Sequence, residues 1–530
     1  MKALFHPGLF TAHDIWHQVV RFHYFSKAAS EGYFPAYWIS ELAQGYGYPL
    51  FIFSYQLPWI IGLLFSNLGF SLENVIKTLF FLSFLGSGIF MYFFAKSFLK
   101  DSFAALLSSI IYMWAPYHFL IIFVGASMGI AFIFTFLPLL FLGLNLIRVK
   151  SPYGSIIFAL GLSGIILSHV MHIIYLSPII LLFIIWSFIN VKEKTKYLKT
   201  LFLSVTLGFL ISAFYLIPAF YYNNSTRVHK EEGVVKLYER NFVDIKQLIY
   251  SKWGFSPIVN NAKDEEISLQ IGIGQWLSIF TAGLLIVIRR KSLKLSGITF
   301  IFLLLILVNI FFMLDYSKTI WKFIINFIFL DYPFRFILPV VFLSSILSGI
   351  VFISINNKLR ILFFVTILAI TIYTNRNYIN VNQYTHLPIS YYLDTDATTN
   401  SFNEYLPINA SPSLLKTSNP YIEGDGVSVK NISYKTNSVS INLLSERISS
   451  ASAGQFYFPG QKLYIDGKQT NVRIDEEGRI SFNLTQGVHN VLIKYEESEI
   501  INISKTLSIM GLLFMLCNLF YIIKFKKNKL

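Results

Sequence analysis

The sequence predicts a mostly α, polytopic membrane helix bundle with a small β-sandwich near its C-terminus, and three observations predict it. Eleven apolar runs are long enough to cross a bilayer as helices: 76–95, 103–122, 130–147, 153–170, 172–190, 200–219, 270–288, 297–314, 336–354, 360–375 and 506–523. Basic clusters fall at every second junction between them. From 425 to 500 the pattern changes to short alternating runs broken by tight-turn pairs. Composition agrees. Of 530 residues 55% are hydrophobic and only 13% charged, with a mean hydropathy of +0.58, which describes a chain dissolved mostly in lipid.

The formal charge of +15 does not point to nucleic acid. Its lysines and arginines gather in short clusters between apolar runs, as cytoplasmic loops of membrane proteins do, so lipid and not nucleic acid is the expected partner. Lys96/Lys100, Arg148/Lys150, Lys192/Lys194/Lys196/Lys199, Arg289/Arg290/Lys291/Lys294, Lys358/Arg360 and Lys524/Lys526/Lys527/Lys529 are all cytoplasmic by the positive-inside rule, without contradiction. Loops 1–75, 220–269, 315–335 and 376–505 are then extracytoplasmic, and the C-terminus is cytoplasmic. This is the pattern of a multi-pass membrane protein.

The apolar piece from Leu50 to Phe70 has extracytoplasmic flanks on both sides and so does not span. Pro49, Pro58, Ser54 and Gln56 agree, and it is expected to lie along the outer interface with its Tyr and Trp side chains at headgroup level. A true first span there would put Asp14 in the cytoplasm and break the parity of every later loop. MKALFHPGLF lacks the basic start and apolar centre of a signal peptide, so a first transmembrane helix is expected to precede Lys2. VSVKNISY, SVSINLL, QKLYIDGK, RISFNL and HNVLIKYE read as strands around Asp466-Gly467, Glu477-Gly478 and Gln486-Gly487. The single cysteine, Cys517, lies in the last apolar run, so the sandwich is stable by packing alone. The expected domains are 1–375, with a first external loop 1–75; a β-rich domain 376–505; and a terminal helix with basic tail, 506–530.

Thr11 to Leu57 is the stretch richest in chemistry. Asp14 stands between His13 and His17, and a carboxylate so placed can act as general base or, with His17, hold a divalent cation. The three share one side of a helix if that helix begins near Ala12. The plainer alternative is that Asp14 caps the helix and the histidines are structural. Arg21 lies one helical period further on, as a substrate contact or an interfacial anchor. Arg335, in DYPFRF, could grip a phosphate bidentately or only pair with Asp331. His169 and His172, in the short turn SHVMHI, could contact substrate or hydrogen-bond between helices. Arg227, His229, Arg240 and Lys252 could hold an anion or form a solvated face. A phosphate-binding Gly loop with Lys-Ser/Thr, a zinc-type Cys/His array and a Gly-x-Ser-x-Gly elbow are all missing from the sequence. Ionisable groups inside the apolar runs are few, which argues against a solute carrier.

HPGLFTAHD, EGYFPAYW, GYGYPLFIF, the Ser168-His169 pair, ISAFYLIPAF, NFVDIKQLIYSKWGF, DYPFRF, TTNSFNEYLP and FYFPGQKLYIDGK follow one another in an order that covers nearly the whole chain. That order resembles bacterial polytopic membrane proteins with a "6-pyruvoyl-tetrahydropterin synthase-related domain", YfhO-like relatives within the GT-C glycosyltransferase superfamily. The resemblance implies a bacterial plasma membrane and a GT-C-like bundle whose first external loop carries an acidic residue facing a cavity, where a polyprenyl-phosphate sugar donor meets a glycan or lipid acceptor. Asp14 holds the matching position and 50–70 matches the interfacial helix. With Asp14 so placed, the expected reading has Asp14 as catalytic base, Arg335, Arg21 and His169 as substrate contacts, and Asp14 with His17 as ligands if a Mg or Mn ion is used. Three departures stand out, one of them Gln461 where the pattern has Trp after Pro459-Gly460. The pattern has Arg-Gly-Ala-x-x-Gly-Glu where this chain has VGASMGI, placing Val124 and Ile130 at the charged positions, and Trp where Phe334 stands. The alternative expectation is a non-catalytic protein that binds or moves lipid-linked glycans.

Overall fold

The computed structural model describes residues 2–527 apart from 232–235, 259, 290–294, 329 and 396–397. The predicted cluster at Arg290, Lys291 and Lys294, and Lys529 of the tail, lie outside the described residues. All eleven predicted apolar runs are helical. Among the described residues seven helices are long and apolar enough to cross a membrane, or nine if each of two bent pairs is one span. Apolar side chains such as Phe202, Phe280, Leu307, Ile361 and Phe514 stand exposed on the bundle, as befits a surface facing hydrocarbon. Two helices, Met128–Arg148 and Ile337–Ser354, are buried nearly all round and form the centre. The first packs closely on Gly154–His169 through glycines: a Cβ on Gly143 would meet Phe158 N at 2.3 Å, and one on Gly161 would meet Leu140 Cα at 2.5 Å.

Two predicted single spans are bent. Ser102–Met113 turns by 47° into Pro116–Val124, because Pro116 opens the second segment and disfavours helix in the residue before it. Lys194–Ile211 turns by 73° into Ala213–Tyr221. There Ser508 of the last helix, Glu499–Lys527, accepts from Phe214 N at 2.8 Å and donates to Leu210 O at 3.0 Å, so backbone groups freed by the bend find a partner. The Leu57–Asn67 helix has 11 residues and rises about 16 Å, half a bilayer core. On length alone it is too short to cross a bilayer as a straight helix. Its tryptophan is not at a headgroup position, however: Trp59 is fully buried, stacked 5.7 Å from Tyr55.

Helix ends sort into two groups. Arg148 lies over Phe98 and Trp186, Lys150 meets Glu193, and Arg360 lies over Phe352. These basic ends gather at one end of the bundle. The opposite end carries the β-sandwich.

The sandwich has two sheets. Val427–Lys435, Ser438–Ser445, Gly487–Tyr495, Gln461–Ile465 and Lys468–Thr470 form the five-stranded one, in that spatial order. Ile422–Gly424, Ser449–Phe456, Arg479–Leu484 and Arg473–Ile474 form the other. Ile441, Leu443, Leu463, Phe482 and Val491 fill the space between. The predicted strands are all present, and Ser449–Phe456 is an addition. Residues 376–421 are not part of this sandwich. The described residues among them run back along the bundle as a strap: Tyr384–Thr385 pairs with Leu9–Phe10, and Thr226 bridges Pro407. The aromatic stretch from Tyr33 to Tyr48 receives the sandwich. Trp38 stacks on Phe458 and Tyr495 at 5.7 and 6.0 Å, and Tyr46 stacks on Phe456 at 4.9 Å.

Candidate functional site

Asp14 neither caps a helix through its side chain nor shares a helical face with His13. The helix runs Ile15–Ser30, and Asp14 at its start has φ −102° and ψ 7° with no side-chain cap, away from the extended geometry a capping carboxylate uses. The backbone on either side is pinned elsewhere: His13 N donates to Val124 O at 2.8 Å and Asp14 N to Gly125 O at 3.0 Å. The half-buried carboxylate instead accepts from Ser127 Oγ at 3.1 Å. His13 turns away, its Nε2 2.9 Å from Phe255 O, while His17 sits half-buried one turn along and makes contacts of its own. The loop that meets Asp14 is VGASMGI, where Val124 and Ile130 are both buried.

Gln18 and Arg21 continue the face begun by Asp14. Gln18 Nε2 donates to Ala126 O at 2.9 Å and its Oε1 accepts from Tyr55 OH at 2.9 Å. Arg21 reaches the strap: Nη2 donates to Thr399 O at 2.5 Å, Nε to Thr399 Oγ1 at 3.1 Å, and Nη1 to Tyr55 OH at 3.4 Å. Arg21 therefore fixes the 398–405 segment against the helix. Tyr405 N donates to Tyr48 OH at 3.0 Å on the same segment, and Tyr405 stacks on Phe53 at 4.8 Å. Gly129 shows how tightly the next wall closes, since a Cβ there would meet Ser168 O at 2.4 Å and the Tyr55 ring at 3.0 Å.

Beyond Ser168 the wall is ionisable. His169 and His172 lie edge to face at 4.5 Å. His172 is fully buried, and among the described residues neither ring nitrogen has a hydrogen-bond partner, so it is not the inter-helix hydrogen bond of the plainer expectation. Its ring lies 5.8 Å from that of Tyr175, whose OH donates to Asp331 Oδ1 at 2.8 Å and accepts from Asp331 N and Tyr332 N at 3.1 and 3.2 Å. Asp331 Oδ2 then accepts from Arg335 Nη1 at 2.5 Å. Arg335 is 9% exposed and lies over Tyr332 at 4.8 Å. Among the described residues, its Nε and Nη2 donate to no protein acceptor.

Tyr332 joins the two halves. Burial and the Asp331 carboxylate push its hydroxyl up to about 12, Arg335 opposing the rise and Asp14 adding to it. Tyr55, raised mainly by burial, likewise feels Arg21 and Asp14 together. Asp14, Arg21, His169 and Arg335 thus border one region at the sandwich end, although more than three hundred residues separate the first from the last. Sequence reasoning did not find Ser127, Gln18 or Glu404. Gln18 was legible, because Asp14, Gln18 and Arg21 follow the helical spacing of four and then three. Glu404 had no local signal. Its Oε1 accepts from Asn400 Nδ2 at 2.8 Å, while Oε2 is buried without a partner among the described residues.

The donor set at Asp14 suits a metal poorly. It offers one carboxylate and the Ser127 hydroxyl, and among the described residues no group of three His, Cys, Asp or Glu side chains could hold an ion. A magnesium or manganese ion there would draw most of its oxygens from substrate and water.

No family model matches the chain. Over 140 residues it is 31% identical to an uncharacterized protein of Lactococcus lactis subsp. cremoris (strain MG1363), a match covering 25% of this chain. It spans 23% of that relative's length, under a quarter of it. What the chain is similar to is thus a short part of a larger bacterial protein.

Proposed function

We propose that this chain is an integral membrane glycosyltransferase of the GT-C type. It takes a polyprenyl-phosphate-linked sugar as donor at the extracytoplasmic face of a bacterial plasma membrane and serves the synthesis or modification of cell-surface glycans. One observation carries this: a buried guanidinium with open donors and a half-buried carboxylate border the same region. Asp14 takes the proton from a hydroxyl of the glycan or lipid acceptor. The oxygen attacks the anomeric carbon of the sugar, a C–O bond forms, and the bond from that carbon to the phosphate oxygen breaks with inversion. The electron pair leaves on the polyprenyl phosphate, and the free N–H groups of Arg335 meet the charge that develops there. His169 contacts the same phosphate from the other side. Arg21 acts by holding the strap at Thr399 against the helix that begins beside Asp14. Asp14 then returns its proton to water.

Asp14→Asn in the producing cells, followed by analysis of surface glycans, tests the reading. Loss of a glycan at normal protein level supports it. Unchanged glycans, with purified Asp14→Asn still binding undecaprenyl phosphate, would instead identify a protein that binds or moves such lipids.

A further inference from the structure

At the end of the bundle opposite the sandwich, a groove of about 770 Å³ opens between the helices, within the size range of small-ligand sites. Its composition is graded along the helix Leu72–Leu99. Phe90 and Phe93 line one part, facing Leu139 and Leu142 of the central helix, and Lys96 and Lys100 line the other. From Phe90 to Lys100 is ten residues, about 15 Å of rise. The groove is therefore apolar over about one turn of this helix and cationic beyond it.

The two lysines are free to attract an anion. Among the described residues neither pairs with a carboxylate. Lys96 lies only over the Tyr92 ring, and neighbouring Asp101 caps the next helix through Ala104 N at 2.9 Å. A second cavity at the same end, about 220 Å³, makes the contrast. Its Lys150 and Lys196 both meet Glu193, and its Arg148 donates to Asn145. The cations of that cavity are already answered by the protein, whereas those of the larger groove are not.

We infer that the groove is a binding site for one anionic phospholipid, its acyl chain along Phe90 and Phe93 and its phosphate between Lys96 and Lys100. The match is of shape and charge together: an apolar groove ending in two ammonium groups without a carboxylate partner among the described residues suits an anionic lipid, whose chain and headgroup use both parts. The site lies at the far end of the bundle from Asp14 and does not depend on the glycosyltransferase reading.

Native mass spectrometry of the full chain in mild detergent, incubated with dioleoyl phosphatidylglycerol or dioleoyl phosphatidylcholine, tests this. The unaltered chain should retain one phosphatidylglycerol in preference to phosphatidylcholine. Lys96→Gln with Lys100→Gln should lower that retention by about fivefold for each lysine, the factor one juxtamembrane cation supplies. Lys150→Gln with Lys196→Gln, off the groove, should leave retention unchanged. Ile157→Trp, which fills the apolar part, should abolish it with the lysines intact. Equal retention of the two lipids, an equal loss in the off-groove variant, or full retention in Ile157→Trp would each overturn the site.

Discussion

Two arginines in this molecule share a sequence pattern and a degree of burial, and differ in what surrounds their guanidinium groups. Arg335 at the bundle end and Arg479 in the sandwich each follow an aspartate by four residues, Asp331 and Asp475, and are 9% and 7% exposed. In the sandwich the fork is full: Nε meets Asp475 at 2.9 Å, Nη1 meets Glu423 at 2.6 Å and Nη2 meets Glu477 at 3.0 Å. At the bundle end only Nη1 meets a carboxylate. The other two nitrogens of Arg335 have no protein partner among the described residues, yet they are not sealed from solvent, whereas the fork of Arg479 is filled by the protein's own carboxylates. The open side of Arg335 is therefore free to take an anion that the chain does not supply.

Removing each guanidinium separates the two cases most strongly. Arg335→Leu leaves the Asp331 carboxylate buried with Tyr175 as its remaining side-chain donor, and should cost about 3–5 kcal/mol, read as a lowered thermal midpoint of the detergent-solubilised chain. Conservative exchange then sharpens the comparison. Arg479→Lys gives up at least one carboxylate contact and should cost about 1–2 kcal/mol. Arg335→Lys keeps its one contact and should cost less than about 1 kcal/mol, yet lower binding of undecaprenyl phosphate roughly tenfold because the planar fork is gone. Equal destabilisation by the two lysine variants would mean that the protein already uses the open side of Arg335.

A smaller effect separates the regions by pH. In the sandwich, His489 Nδ1 lies 2.7 Å from Asp466 Oδ2, and this hydrogen bond raises His489 above its ordinary 6.5. Asp466 is held below its ordinary 3.8, chiefly by Asn490 N and then by His489. The contribution of His489 is complete below pH 6.5 and is lost as pH rises through its raised value. That of Asp466 is present above pH 3.8 and is lost as pH falls through its lowered value. His489→Gln should therefore speed amide exchange in Gly487–Tyr495 most between about pH 4 and 6.5, corrected for intrinsic rates, and less at pH 8–9. A difference that does not vary with pH would show the ion pair to be idle.

How much of this was legible depends on how far apart the partners lie. Helix runs are local signals, and length with apolar content found all eleven. The bend at Ser212 was not local, since the hydroxyl that accommodates it belongs to Ser508. The strand Ser449–Phe456 was missed because SSASAGQF carries no large apolar residue before its last, Phe456. Its Ala451 and Ala453 are small and buried inside the sandwich, so the usual alternation of bulk is muted. In the candidate site, Asp14, Arg21, His169 and Arg335 stood out by residue type and all border one region. The Gly45–Pro49 aromatics also stood out, but Tyr46 serves the docking of the sandwich rather than chemistry. Ser127 and Glu404 are common residue types placed by long-range packing, and no spacing announces them.

Ser127 gives the finest test of the comparison, because among the described residues it is the side chain that holds the Asp14 carboxylate. Its hydroxyl donates to a half-buried carboxylate at 3.1 Å, a contact worth about 1 kcal/mol or less to stability at this depth. Ser127→Ala should thus barely move the thermal midpoint, unlike a change at Arg335 or Arg479. Its effect should fall on transfer: a carboxylate free to rotate meets the acceptor hydroxyl less often, which predicts a severalfold lower turnover with donor binding unchanged. Ser127→Thr keeps the hydroxyl and should restore most of the rate. A drop in midpoint as large as that of Arg479→Lys, with turnover unaffected, would make this hydrogen bond part of the fold, and Asp14 would lose the support that sets it apart from an ordinary surface acid.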